Sequence, residues 1–206
     1  MRVLAWLAGI LGCILLAYYG GGSLLPDHAS IYRKMEIGRP PSAVFSLIND
    51  LKTFDQWWLF TSTNPAQRPD QAGPATISGP PSGVGQKQIW LVRNASDRQL
   101  EILGQLEIVE SEADRHVAIA VDVPDWLSGR FRFDLGGSGN TELEWATDVA
   151  LDTTFKRWAG YFLADKAIGA LEEISLVQLK ELAETGKIRR PDPVKPAKTV
   201  SPPTAS

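Results

Sequence analysis

The spacing of apolar and polar positions divides the chain into segments of different period. Val3 to Leu25 reads VLAWLAGILGCILLAYYGGGSLL, an apolar run of 23 residues without a charge. At 1.5 Å per residue a helix of that length crosses the roughly 30 Å of a bilayer's hydrocarbon core. From Ile31 to Ile37 the period changes to two. Ile31, Met35 and Ile37 alternate with Tyr32, Lys34 and Glu36, and Arg33 interrupts the apolar face. That alternation predicts a strand. Pro40-Pro41 ends it, and Pro41 suits the first turn of a helix, where its missing N–H costs nothing. Val44, Phe45, Ile48 and Leu51 then recur at helical spacing, and TFDQWW adds a second short helix. Thr63 to Gly85 is rich in Pro, Gly and Gln and predicts no regular element.

Beyond Gly85 the period of two returns and persists to residue 151. The segments QKQIWLVRN, LEILGQLEIVES, HVAIAVDV, GRFRFDL and TELEWATDVAL each place apolar residues on alternate positions. One buried and one wetted face is the habit of antiparallel sheets, and GGSGN at Gly136–Asn140 is a flexible hairpin link. A long helix follows from about Lys156 to Thr185. Its apolar stripe is read as Leu163, Ala167, Ala170, Leu171, Ile174 and Val177, with Gly186 as C-cap. This helix alone is long enough to cover the sheet's apolar face. The expected division is an N-terminal transmembrane anchor over 1–28, one α+β domain over 29–185, and a tail over 186–206. The tail is rich in Pro and Lys, with too little apolar surface to offset its ordering entropy, and is expected to be disordered.

Composition narrows the function classes. The 206 residues are 44% hydrophobic and 22% charged with a net charge of −3, so the basic excess of a nucleic-acid partner is missing. Two histidines and Cys13 as the lone cysteine supply neither a disulfide nor the usual zinc ligand set. No metal and no cofactor is expected. The apolar run competes with two cleaved alternatives. A signal peptide has a shorter core and an A-x-A site, which this segment lacks, although YYGGGS is small enough to serve. A lipoprotein signal would use Cys13 after Gly12. Length favours the uncleaved, single-pass anchor. Arg2 favours an inside N-terminus and an extracytoplasmic domain, while Arg33, Lys34 and Arg39 pull the other way.

The strings IGRPPSAVFSLINDLKTFDQWW (Ile37–Trp58), SGPPSGVGQKQIW (Ser78–Trp90), GQLEIVES, TELEW and ALEEISLVQLKELAE (Ala170–Glu184), in that order, resemble the START-like or SRPBCC superfamily, in particular its polyketide cyclase/dehydrase-like branch. The resemblance covers nearly all of Ile31–Glu184 and implies the helix-grip fold. In that fold a curved antiparallel sheet wraps a long C-terminal helix, with two short helices after the first strand. It also implies a cavity for an apolar small molecule such as a lipid, isoprenoid or polyketide. A fold does not imply a reaction.

Alternation gives the candidate cavity wall. From the sheet come Gln88, Trp90, Leu106, Ile108, Ile119, Val121, Phe131, Phe133 and Trp145. The helix supplies Leu163, Ala167 and Leu171, and Trp57 and Trp58 stand near one mouth. Apolar and aromatic walls with few polar groups are those of a ligand pocket; the same residues would equally fill a packed core. Gln86 and Gln88 would either orient a ligand or sit at a solvated strand start. Arg33 is the candidate polar anchor for an anionic head, or else the partner of a carboxylate. His116, at a strand entry, and the outward Asp134 and Asp148 are not read as catalytic. GPPSGVG lacks the Lys-Ser/Thr of a phosphate loop, and no G-x-S-x-G elbow is present. No catalytic residue is assigned. The expected function is binding or transfer of a hydrophobic small molecule by a membrane-anchored domain. The alternatives are a cyclase/dehydratase-type enzyme using the same cavity, or a structural interaction domain with a filled interior. The expected partners are that molecule and the membrane; protein partners are not specified by these patterns.

Overall fold

The computed structural model describes residues 2–58, 72–93 and 99–188. Residues 189–206, most of the expected tail, lie outside them, as do residues 59–71 of the expected irregular stretch. The chain runs α1 (Arg2–Leu24), β1 (His28–Ile37), α2 (Pro41–Ile48) and α3 (Leu51–Trp57), then six further strands. These are β2 (Ala72–Ser78), β3 (Lys87–Arg93), β4 (Leu100–Glu112), β5 (His116–Val123), β6 (Leu127–Gly136) and β7 (Thr141–Ala150); α4 (Thr154–Thr185) follows them.

All seven strands form one antiparallel sheet in the order β1-β7-β6-β5-β4-β3-β2. β2 to β7 are a meander, so each strand lies beside its neighbour in sequence. β1 joins the far edge against β7, with Ile31 opposite Thr147 and Arg33 opposite Trp145. The chain must therefore cross the sheet between β1 and β2, and α2 and α3 make that crossing. The curved sheet with α4 over its concave face is the helix-grip fold.

The joint between α2 and α3 is built from backbone groups that need partners. Asp50 caps α3, accepting from the Lys52 N–H at 3.0 Å. Gln86 is fully buried and satisfies the joint from the other side. Its Oε1 accepts from the Leu51 N–H at 2.7 Å, and its Nε2 donates to Asp50 Oδ1 at 2.9 Å and to the Pro81 carbonyl at 2.8 Å. Gln86 is thus a structural clamp, not the solvated strand start that its polarity suggested.

β2 corrects the expectation of an irregular segment from Thr63 to Gly85. Its sequence, AGPATIS, carries Gly73 and Pro74, which hide it from pattern reading. As the outermost strand it tolerates both, and its register slips between Ala72 and Ala75.

The face of α4 is a second correction. Its buried residues are Gly169, Glu172, Ser175, Leu176 and Leu179. The expected stripe does not pack on the sheet: Leu163, Ile174 and Val177 are 56%, 50% and 56% exposed. Two of the true sheet-facing positions are polar and one is glycine, so a search for apolar residues selects the wrong face.

The C-terminal end of α1 meets the first turns of α4. Gly21 and Gly22 lie against Trp158 and Thr154, and the Trp158 Nε1–H donates to the Tyr18 carbonyl at 3.1 Å. Among the described residues no helix is long and apolar enough to cross a membrane; that description leaves out the side chains of residues 2–5 and 8, inside α1.

The Gln86 clamp has a measurable consequence. Gln86→Ala strands a buried N–H at the start of α3 and is expected to lower the unfolding free energy by about 2–3 kcal/mol. Lys87→Ala, which removes the half-exposed pair with Glu107, is expected to cost less than ~1 kcal/mol. Urea unfolding of the full chain distinguishes the two.

Candidate functional site: a groove beneath the covering helix

The sheet-facing residues meet in an aromatic core. Trp57 is fully buried, its Nε1–H donating to the Leu47 carbonyl at 3.1 Å. Its ring centroid lies 4.6 Å from Phe54 and 6.1 Å from both Phe133 and Trp145. Trp58 stands 5.6 Å from both Trp90 and Phe131, and Phe131 stands 5.7 Å from Trp145. Trp57 and Trp58 therefore do not frame an entrance. Leu106, Ile108, Ile119 and Val121 are buried in the same cluster. Gln88 is buried, its Oε1 without a hydrogen-bond partner among the described residues. Through Leu106, Val121 and Gly129 it shares one cross-sheet row with Val149.

Open space lies instead beneath the N-terminal half of α4. A groove of about 440 Å³ runs between that half and the β5–β6 turn with the end of β7. Leu127, Val149 and Leu151 form its floor, Leu163, Ala167 and Ile168 its helix wall, and Trp126 and Phe155 its outer rim. Leu163 and Ala167 are thus placed in a groove, whereas the predicted sheet residues are in the core. Leu171, half-buried, is outside the groove's lining. The sequence reading left Trp126, Leu127, Val149, Leu151 and Phe155 out of the cavity wall; all but Val149, which the alternation of β7 does select, stand at strand or helix ends where no period picks them out.

Beyond the groove's lining the buried contact between α4 and β7 turns polar. Ile168 and Glu172 are one helical turn apart on α4 and share a face. Val149 and Thr147 are two residues apart on β7 and also share a face. Glu172 and Thr147 therefore follow directly behind two groove residues. Glu172 is 2% exposed, and neither carboxylate oxygen has a hydrogen-bond partner among the described residues. Loss of solvation pushes its pKa up from 4.5 to about 7, raised further by Asp165 and Glu173. Thr147 and Arg33 pull it back. The Thr147 hydroxyl is close enough to act, but it does not close a well-formed hydrogen bond.

Arg33 is committed elsewhere. Its Nη2 donates to Asp165 Oδ1 at 2.9 Å, and its Nε lies 2.9 Å from Glu173 Oε1. It reaches both by passing over Gly169, where a Cβ would overlap the guanidinium. The carboxylate-partner reading of Arg33 is the one the geometry favours, and an anionic ligand head would have to displace two residues. His116 sits on the opposite face of the sheet, its Nδ1 2.6 Å from Asp134 Oδ1. Asp148 pairs there with Arg132 at 2.8 Å. Among the described residues no His/Cys/Asp/Glu group could hold a metal ion.

A family model described as polyketide cyclase / dehydrase and lipid transport matches residues 28–184. No curated protein matches the chain. Solved structures share the fold at low identity. An uncharacterized protein from Rhizobium leguminosarum is 15% identical, with a TM-score of 0.51 over 76% of this chain and 95% of its own. A Staphylococcus aureus protein of unknown function is 10% identical, with a TM-score of 0.52 over 77% and 95%. The di-domain ARO/CYC protein BexL of the BE-7585A biosynthetic pathway is 16% identical, with a TM-score of 0.50 over 80% of this chain and 52% of that one.

The raised pKa of Glu172 makes stability depend on pH. The folded state holds the proton to about pH 7, the unfolded chain only to about 4.5. Between those values the native state binds more protons, so stability falls as pH rises and levels off above 7. The loss attributable to this group is roughly 3 kcal/mol. Glu172→Gln is expected to abolish that component and to exceed the wild type in stability at pH 8, measured by urea unfolding at pH 5 and pH 8.

Proposed function

The chain belongs to the polyketide cyclase / dehydrase and lipid transport family, and from that premise we propose that it binds an apolar small molecule beside a membrane. The observation that carries this reading is the groove beneath α4, lined mostly by apolar side chains with Asp125, Asp152, Thr153 and Lys156 as its polar members. Such a site takes a molecule with a long apolar body and a small polar head. In this reading α1 is the membrane anchor. Its residues Trp6, Leu7, Ile10, Leu11, Ile14 and Leu16 are all exposed, and a helix apolar on every side needs an apolar surrounding. Its C-terminal end touches Thr154 and Trp158, and the neighbouring Phe155 and Ala159 line the groove. The ligand's path from bilayer to groove is then short. Arg2 at the N-terminus supports an extracytoplasmic domain, against the pull of Arg33, Lys34 and Arg39 on the other flank.

One observation favours a catalytic version of this reading. A general acid or base works best with a pKa near the operating pH, and Glu172, at about 7, has one. If the wild type converts the molecule that co-purifies with it while Glu172→Gln retains it unchanged, the domain is a cyclase- or dehydratase-type enzyme.

Ala167 is exposed on the helix wall of the groove. Ala167→Trp is expected to fill the groove while changing the unfolding free energy by less than about 1 kcal/mol. Mass spectrometry of lipids extracted from natively purified full chain should find apolar molecules with the wild type and lose them with the variant. Equal recovery from both, or none from either, contradicts the proposal.

A further inference from the structure

α4 carries an apolar stripe that the core does not use. Leu163, Ala167, Ala170, Ile174 and Val177 follow one another at intervals of four, three, four and three residues, which puts them on one face of the helix. All five are exposed. Glu172, Leu176 and Leu179 hold a different face and are buried. The exposed surface continues past the N-terminal end of the stripe. Phe155 and Phe162 are 70% and 59% exposed, and Trp126, in the turn between β5 and β6, is 53% exposed. Trp126, Phe155, Leu163 and Ala167 line the same groove, so the turn and the helix form one patch. A contiguous exposed apolar patch marks an interaction surface.

Two observations identify what covers it. The patch is continuous with α1, whose side chains Ile10, Leu11, Ile14 and Leu16 are exposed. The Trp158 Nε1–H donates to the Tyr18 carbonyl of α1, and the Trp158 ring stacks on Phe162 at 6.0 Å with the planes 6° apart. The patch is also broader than a helix seam. A partner helix would run along the stripe alone, whereas a flat lipid surface also receives Trp126 from the neighbouring turn. Tryptophan and phenylalanine favour the headgroup boundary of a bilayer. The charges nearby do not oppose such a contact. Lys156 pairs with Asp152 at 3.0 Å and Glu173 with Arg33 at 2.9 Å, and the long stem of Lys166 lets its ammonium reach the headgroups.

We propose that this patch lies on the bilayer that holds α1, with the mouth of the groove opening onto lipid; the proposal rests on the reading of α1 as an anchor. The domain is then held at two places, by α1 through the bilayer and by the outer face of α4 on its surface. Trp126, Phe155, Leu163 and Ala167 belong to both patch and groove, so an apolar molecule passes between bilayer and groove without crossing water.

The test uses the full chain with Cys13→Ser in phosphatidylcholine vesicles. Single cysteines are introduced at Ala170→Cys and Val177→Cys, both outside the groove's lining, and at Glu144→Cys on the opposite face of the sheet. Each is labelled with the fluorophore NBD and quenched by doxyl-phosphatidylcholine with its nitroxide near the headgroups. Quenching at Ala170→Cys and Val177→Cys is expected to be at least about threefold that at Glu144→Cys. Adding Ile174→Asp, a change at an exposed position, is expected to bring Ala170→Cys down about threefold to the control level while the chain still floats with the vesicles. Equal quenching at all three labels in a chain that floats, or quenching that Ile174→Asp leaves unchanged, overturns the docking and leaves the anchor. Disulfide-linked dimers of Ala170→Cys without lipid quenching give the face to a second copy and also overturn it. A chain that does not float with vesicles overturns the anchor reading itself.

Discussion

The concave face of the sheet has to be covered by one helix, and that helix meets it with Gly169, Glu172 and Ser175 at mid-length. This mismatch divides α4. Its C-terminal half is held as a core element: Leu176 and Leu179 are buried, Lys180 donates to the Glu36 carbonyl and Glu184 accepts from the Gly38 N–H, both at 2.7 Å. Its N-terminal half stands off the sheet. A groove of about 440 Å³ lies on one side of it and a second of about 310 Å³ on the other, toward β1. The packed half fixes the fold, and the half that stands away supplies the space for a ligand.

Glu172 and Arg33 show how the mismatch is stabilised. A buried carboxylate without a partner costs several kcal/mol. The nearest cation is Arg33, whose guanidinium crosses the notch at Gly169 and pairs with Asp165 and Glu173, one turn either side. Glu172 receives only part of that positive charge, so protonation is the cheaper way to lower its cost.

Much of the fold was legible because its signals are local. Alternation located β1 and β3 to β7, and Pro40-Pro41 located the turn into α2. β2 was not legible, since Gly73 and Pro74 erase the strand pattern and only its edge position makes it permissible. The wall of the site was less legible than the fold. Tryptophan suits a core and a pocket mouth equally, so Trp57 and Trp58 could be placed only by their contacts. The sheet-facing stripe of α4 was misread because its central members are Gly169, Glu172 and Ser175. One signal could have found Glu172: it stands four residues after Ile168, four before Leu176 and seven before Leu179, on the buried heptad positions.

The account depends on Glu172 being a buried, uncompensated carboxyl where α4 meets the sheet. Carboxyl ¹³C chemical shifts of the full chain, with Glu172 assigned by comparison with Glu172→Gln, measure its titration directly. A midpoint about 7 is expected for the free protein. A midpoint at the ordinary value of 4.5 would show that Glu172 is solvated or fully paired, and would contradict this description of how the helix meets the sheet.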